Sequence, residues 1–154
     1  MPTNPAHPQR RLCSAVAAVA LILAGASCAA PPTTASVAIP PIPPQQGRIW
    51  FYRQVDTAAV NTTTPYVRLN GAIAGVPEPG GAFYRDVPPG YYRITVDAEG
   101  NSPTPSQEVA LGSGQQIYAR IGLGGSWNGQ GLTITMEPSE VGHAAIEHSK
   151  FYGG

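Results

Sequence analysis

The sequence predicts an all-β fold: a single antiparallel β-sandwich or open barrel of about seven or eight short strands, followed by a short C-terminal helix. Three observations carry this. Apolar and polar residues alternate in short segments from Arg48 to Met136, the period of two that a half-buried strand requires. Gly, Pro and Asn separate these segments at turn spacing. No long stretch between Gly47 and Met136 repeats its apolar residues at the helical period.

The first strand is Arg48-Ile-Trp-Phe-Tyr-Arg53, with Ile49 and Phe51 facing one way and Arg48, Trp50 and Tyr52 the other. Tyr66 to Asn70 is the second, its Val67 and Leu69 alternating with polar neighbours. Asn70-Gly71 makes a hairpin turn, because both residues tolerate positive φ, and Ala72 to Val76 returns from it. Phe83 to Val87 follows, and Pro88-Pro89-Gly90 turns the chain into Tyr91 to Asp97. There Tyr92, Ile94 and Val96 share one side, and Tyr91, Arg93, Thr95 and Asp97 the other.

Glu99-Gly100-Asn101 and two prolines form a loop. Val109 and Leu111 mark a sixth strand, turned at Gly112-Ser113-Gly114, and Ile117, Ala119 and Ile121 mark a seventh. Leu132, Ile134 and Met136 mark the last, after a Gly-rich turn from Gly122 to Gly131. Pro138-Ser139 opens the helix, with Val141, Ala144, Ala145 and His148 roughly along one face. Gly142 weakens it, since glycine gives up the most backbone freedom on ordering.

Upstream of Gly47 the composition changes. Arg10 and Arg11 precede an apolar run from Leu12 to about Leu23, which fits a signal-peptide core of roughly 7–15 residues better than a membrane span of about 20. The run closes on Leu23-Ala24-Gly25-Ala26-Ser27-Cys28. If residues 1–27 are removed, Cys28 is the only thiol left, so the exported chain has no internal disulfide. Residues 31–46 read PPTTASVAIPPIPPQQ. Proline fixes the backbone near polyproline II and blocks helix and central strand. Residues 28–46 are therefore expected to be a disordered Pro-rich tether, reaching several tens of Å at about 3.1 Å per residue. The domain is expected at 47–148, with 149–154 as a tail.

The chain is formally neutral, with 9 basic and 9 acidic residues. Loss of Arg10 and Arg11 leaves seven basic residues against the same nine acidic ones, about −2. Lys150 is the single lysine, and no Lys/Arg cluster exists. Nothing here favours nucleic acid as a partner.

Two resemblances follow from these residues. Leu23 to Cys28 resembles the lipobox of bacterial lipoproteins, with Gly25 departing from the usual Leu. That implies cleavage before Cys28, acylation of Cys28, and stable anchoring by two or three chains. Ala29, in place of an Asp, leans toward the outer membrane facing the periplasm rather than the inner membrane. Simple secretion and an uncleaved anchor remain open. Within the domain, Arg48 to Arg53, Val67 to Gly71, Asp86 to Val96 and Gly114 to Tyr118 resemble a family of bacterial envelope lipoproteins with a domain of unknown function. The Pro-Gly-x-Tyr order also resembles PEGA-type and transthyretin-like envelope modules. These motifs describe a fold, and the resemblance implies no catalytic residues and no cofactor.

Candidate chemistry is sparse. His143 and His148 are five apart, with Glu140 and Glu147 nearby, and match no metal motif. Ser113 and Ser126 sit in glycine turns without a nucleophile elbow. Asp86, Asp97 and Glu99 could converge as a carboxylate pair, though capping or solvation explains Asp86 and Asp97. The Gly122 to Gly131 loop lacks the Gly-Lys-Ser/Thr ending of a phosphate loop. Trp127 at its tip is a candidate contact residue.

The remaining pattern is Tyr66-x-Arg68, Tyr91-x-Arg93 and Tyr118-x-Arg120, together with Arg48, Trp50 and Tyr52. If these strands share a sheet, they make one aromatic and guanidinium face suited to protein or glycan partners. The competing explanation is that Tyr forms strands well and Tyr–Arg pairs shield a sheet face. The expected function is a non-catalytic, membrane-anchored envelope lipoprotein acting as a structural or protein-interaction module. The alternative is a binding module for cell-wall glycan or a small envelope ligand.

Overall fold

The computed structural model describes residues 1, 30–55, 64–98, 103–124 and 131–154. In chain order the strands are β1 (Gly47–Arg53), β2 (Val67–Leu69), β3 (Ala72–Gly75), β4 (Gly81–Val87), β5 (Gly90–Val96), β6 (Ser106–Leu111), β7 (Gln116–Leu123) and β8 (Leu132–Glu137). A helix, α1 (Ser139–Glu147), then leads to β9 (Lys150–Phe151). The chain is all-β with a short C-terminal helix. Its strands form a five-stranded sheet, ordered β8-β7-β1-β4-β9, and a four-stranded sheet, ordered β3-β2-β5-β6.

Pairing in the five-stranded sheet is mixed rather than wholly antiparallel. β1 runs parallel to β7, with Trp50 beside Tyr118, and β9 runs parallel to β4. Period two reports which way a side chain points, but it does not report the direction of the neighbouring strand. The Asn70-Gly71 hairpin forms as expected, both residues having positive φ (49° and 87°).

The inner faces of the two sheets make the main core. Ile49, Phe51, Phe83, Ala119 and Ile121 from one sheet meet Val67, Leu69, Ile94, Val96 and Leu111 from the other. Phe51 stacks on Phe83 with ring centroids 5.0 Å apart. Each such aliphatic or aromatic side chain contributes about 1.5–3 kcal/mol by leaving water.

β1 is buried at every position, which a sandwich with one wet face does not explain. A third layer covers the outer face of the five-stranded sheet. It consists of α1 and residues 32–46, which form a second cluster with Trp50, Tyr52, Ala82, Tyr84 and Tyr118. Ile39, Ala145, Ile146 and Phe151 pack onto these aromatics. The expected free tether is therefore not free over 32–46. The Phe151 N–H donates to the Pro32 carbonyl (2.7 Å), the Thr34 N–H donates to the Ser149 carbonyl (2.8 Å), and Thr34 is buried. Residues Thr34–Ser36 turn in a short 3₁₀ helix before the segment crosses the sheet toward Gly47.

Two further expectations change with this layer. Residues 149–154 are not a tail: β9 joins the sheet, and the Tyr84 N–H donates to the Gly153 carbonyl (3.1 Å). The helix also turns a different face inward. Gly142 and Ile146 are buried, while Val141, Ala144 and His148 are exposed. Gly142 lies against the Tyr118 side chain so closely that a Cβ there would collide with it.

Candidate functional site

The Tyr/Arg residues do not form one face. Arg48, Trp50, Tyr52, Tyr118 and Arg120 belong to the five-stranded sheet, and Arg68, Tyr91 and Arg93 to the four-stranded sheet, with Tyr66 just ahead of β2. Each set points outward from its own sheet, so the two lie on opposite sides of the sandwich. Alternation along a strand cannot say which sheet the strand joins.

The first set is covered. Tyr118 is only 3% exposed, and Trp50 and Tyr52 are buried beneath the third layer. Trp50 and Tyr84 pack with centroids 4.9 Å apart, and Tyr84 stacks on Phe151 at 6.0 Å. The Trp50 indole N–H donates to Gln116 Oε1 (3.0 Å). Arg48 donates to both Asp86 carboxylate oxygens (2.7 and 2.8 Å) and to the Pro40 carbonyl (3.0 Å). Its guanidinium carbon sits 3.9 Å from the Tyr84 ring centroid. The hydrogen bonds that Arg48 donates to Asp86 raise the Arg48 pKa, against the lowering effect of burial. Burial likewise raises the phenol pKa values of Tyr52 and Tyr118 from 10.0. Arg120 donates to Glu137 on β8 (2.7 Å). Arg48, through Pro40, and Tyr118, against Gly142, touch the third layer directly.

The second set is open to solvent. Tyr91 is 87% exposed and Tyr66 46%. Arg68 donates to both Asp97 oxygens (2.8 and 3.0 Å), and Arg93 donates to Glu108 across the β5–β6 pair (2.9 Å). The Arg68 hydrogen bond lowers the Asp97 pKa from 3.8. Asn70, Tyr91, Arg93, Thr95 and Glu108 help line an open depression of about 620 Å³. It offers an aromatic surface beside a guanidinium and a carboxylate. That chemistry suits stacking and hydrogen bonding to a polar ligand.

Asp86 lies on β4 of one sheet and Asp97 just past the end of β5 of the other, each bonded to its own arginine, so they do not form a carboxylate pair. His143 Nδ1 lies 3.5 Å from Glu147, one turn on along α1. No three His, Cys, Asp or Glu side chains gather as a metal cluster among the described residues. Ser113 is exposed in the turn between β6 and β7. Cys28, Glu99, Ser126 and Trp127 lie outside the described residues. No helix among the described residues is long and apolar enough to cross a membrane.

One feature of the surface is missed when residues 31–46 are taken as a free tether. A groove of about 350 Å³ runs along the seam between residues 34–42 and α1, lined by Ile39, Ile42, Trp50, Gln116, His143 and Ile146. The signal available was Ile39 and Ile42, two aliphatic residues among prolines. No protein-family model matches the chain, and no curated protein matches it either.

Proposed function

We propose that this chain is a lipid-anchored, non-catalytic module of the bacterial cell envelope, and that the outer face of its four-stranded sheet meets an envelope protein. The signal-type start, the apolar run and Cys28 support the anchor, and Ala29 favours the outer membrane, facing the periplasm. The observation that carries the interaction role is Tyr91, 87% exposed on a strand whose neighbours fix its position. A rigid aromatic beside arginines is the composition of binding hot spots. The arginines on this face are already paired to acids, so they shape the surface and offer donors at its rim.

A photoreactive residue placed at Tyr91 in living cells tests this reading. A discrete crosslinked partner is expected, lost when Arg68 and Arg93 are both changed to Ala in a protein that still folds. Crosslinking no different from that at Glu140, on the far layer, contradicts it.

A second reading is a glycan-binding or small-ligand module. The depression beside Tyr91 favours it, since an exposed ring next to Asn70, Arg93 and Glu108 can stack on a sugar and bond its hydroxyls. Sedimentation with peptidoglycan separates the two readings. Loss of co-sedimentation in Tyr91→Ala supports the glycan. Failure of wild type to sediment removes it.

A further inference from the structure

We propose that the sheet edge formed by Thr33, Lys150 and Tyr152 rests against phospholipid headgroups, so that the domain is seated on the bilayer rather than held away from it. This rests on the reading of Cys28 as the lipid-anchored residue. Its own observation is where the docked segment begins.

Pro32, Thr33 and Thr34 are built into the edge beyond β9. Thr33 and Lys150 form a β-bridge, the Phe151 N–H donates to Pro32, and the Thr34 N–H and hydroxyl both donate to the Ser149 carbonyl (2.8 and 3.2 Å). Further on, Ile39 packs under α1 and the Pro40 carbonyl accepts from Arg48. Only four peptide units separate Cys28 from Pro32. A chain covers at most about 3.3–3.6 Å per residue, so whatever their conformation Pro32 stays within about 14 Å of the Cys28 Cα. A tether free as far as Gln46 would instead allow about 56 Å at 3.1 Å per residue.

The headgroup layer of one leaflet is itself about 5–7 Å deep. An edge tied this closely to an acylated cysteine lies, even at full stretch, no more than about 10 Å beyond that layer, so a long exposed side chain on the edge can reach it. What the edge presents fits such a surface. Lys150, the only lysine in the chain, is exposed there, opposite Thr33. Tyr152 is 43% exposed, its ring lying over Gly81. Lys extends its ammonium to phosphates, and Tyr is favoured at the membrane–water interface.

The test uses the processed, full-length protein reconstituted in phosphatidylethanolamine vesicles containing phosphatidylglycerol. A fluorophore is placed on Thr33→Cys, which leaves Lys150 and Tyr152 in place, or on Ser139→Cys, both exposed positions. Ser139 follows β8, four strand spacings from β9, or about 19 Å. Headgroup-attached quencher is expected to quench position 33 several-fold more than position 139. Insertion of twenty Gly/Ser residues between Ala30 and Pro31 should abolish the difference. Equal quenching in a protein that carries acyl mass overturns the seating and leaves the anchor intact. Absence of both acyl mass and vesicle capture overturns the anchor and the seating together.

Discussion

Arg48 and Asp86 sit directly opposite each other on β1 and β4 and are joined by two hydrogen bonds of 2.7 and 2.8 Å beneath the third layer. The Arg48 side chain is 3% exposed and that of Asp86 16%. Removing one partner leaves a buried charge without its counter-ion. Asp86→Ala is therefore expected to cost about 3–5 kcal/mol in urea unfolding, whereas Arg48→Met with Asp86→Leu should recover most of that loss. A cost under about 1 kcal/mol for the single change would contradict the buried-pair account.

Gly142 is the point where α1 touches Tyr118. In an exposed helix, Gly→Ala gains up to about 1 kcal/mol. Here the added methyl meets the Tyr118 side chain, and overpacking of this kind costs about 1–3 kcal/mol. Gly142→Ala should lower the melting temperature, and an increase would show that α1 is not seated on β7.

Residues 32–46 should behave as part of the fold. A domain starting at Gly47 is expected to be about 2–4 kcal/mol less stable than one starting at Ala30, from lost burial of Ile39 and lost bonds at Thr34 and Pro40. It should also bind a hydrophobic dye at the uncovered Trp50 and Tyr84. Equal stability and no dye binding would restore the free tether.

Asp97 gives a pH test. Its carboxyl pKa is lowered from 3.8 by the Arg68 hydrogen bond. Because the folded value lies below the unfolded one, the pair favours the folded state above 3.8. That preference is lost as pH falls through the lower, folded value. Carboxyl NMR titration should find Asp97 titrating below 3.8, and Arg68→Gln should move it back upward. No movement would remove Arg68 as the cause.

The inner core was legible because Ile49, Phe51, Ile94, Val96 and Ile121 keep strict alternation against polar or amphipathic neighbours. The third layer was not, for two physical reasons. Trp50, Tyr52 and Arg48 look amphipathic in sequence and pack equally well under a helix or beside water. Proline lacks an N–H, which suggests a segment with no bonds to make. Pro32 and Pro40 nevertheless keep their carbonyls, and those oxygens accept the docking bonds. The split of the Tyr/Arg pattern was likewise hidden, because Arg68 and Arg120 alternate identically on strands of different sheets.

The most direct measurement of the account as a whole is the mass of the N-terminal fragment of the protein isolated from its native membrane. A fragment beginning at Cys28 and carrying diacylglyceryl and amine-linked acyl mass is expected. An unmodified N-terminus generated at another position would contradict it.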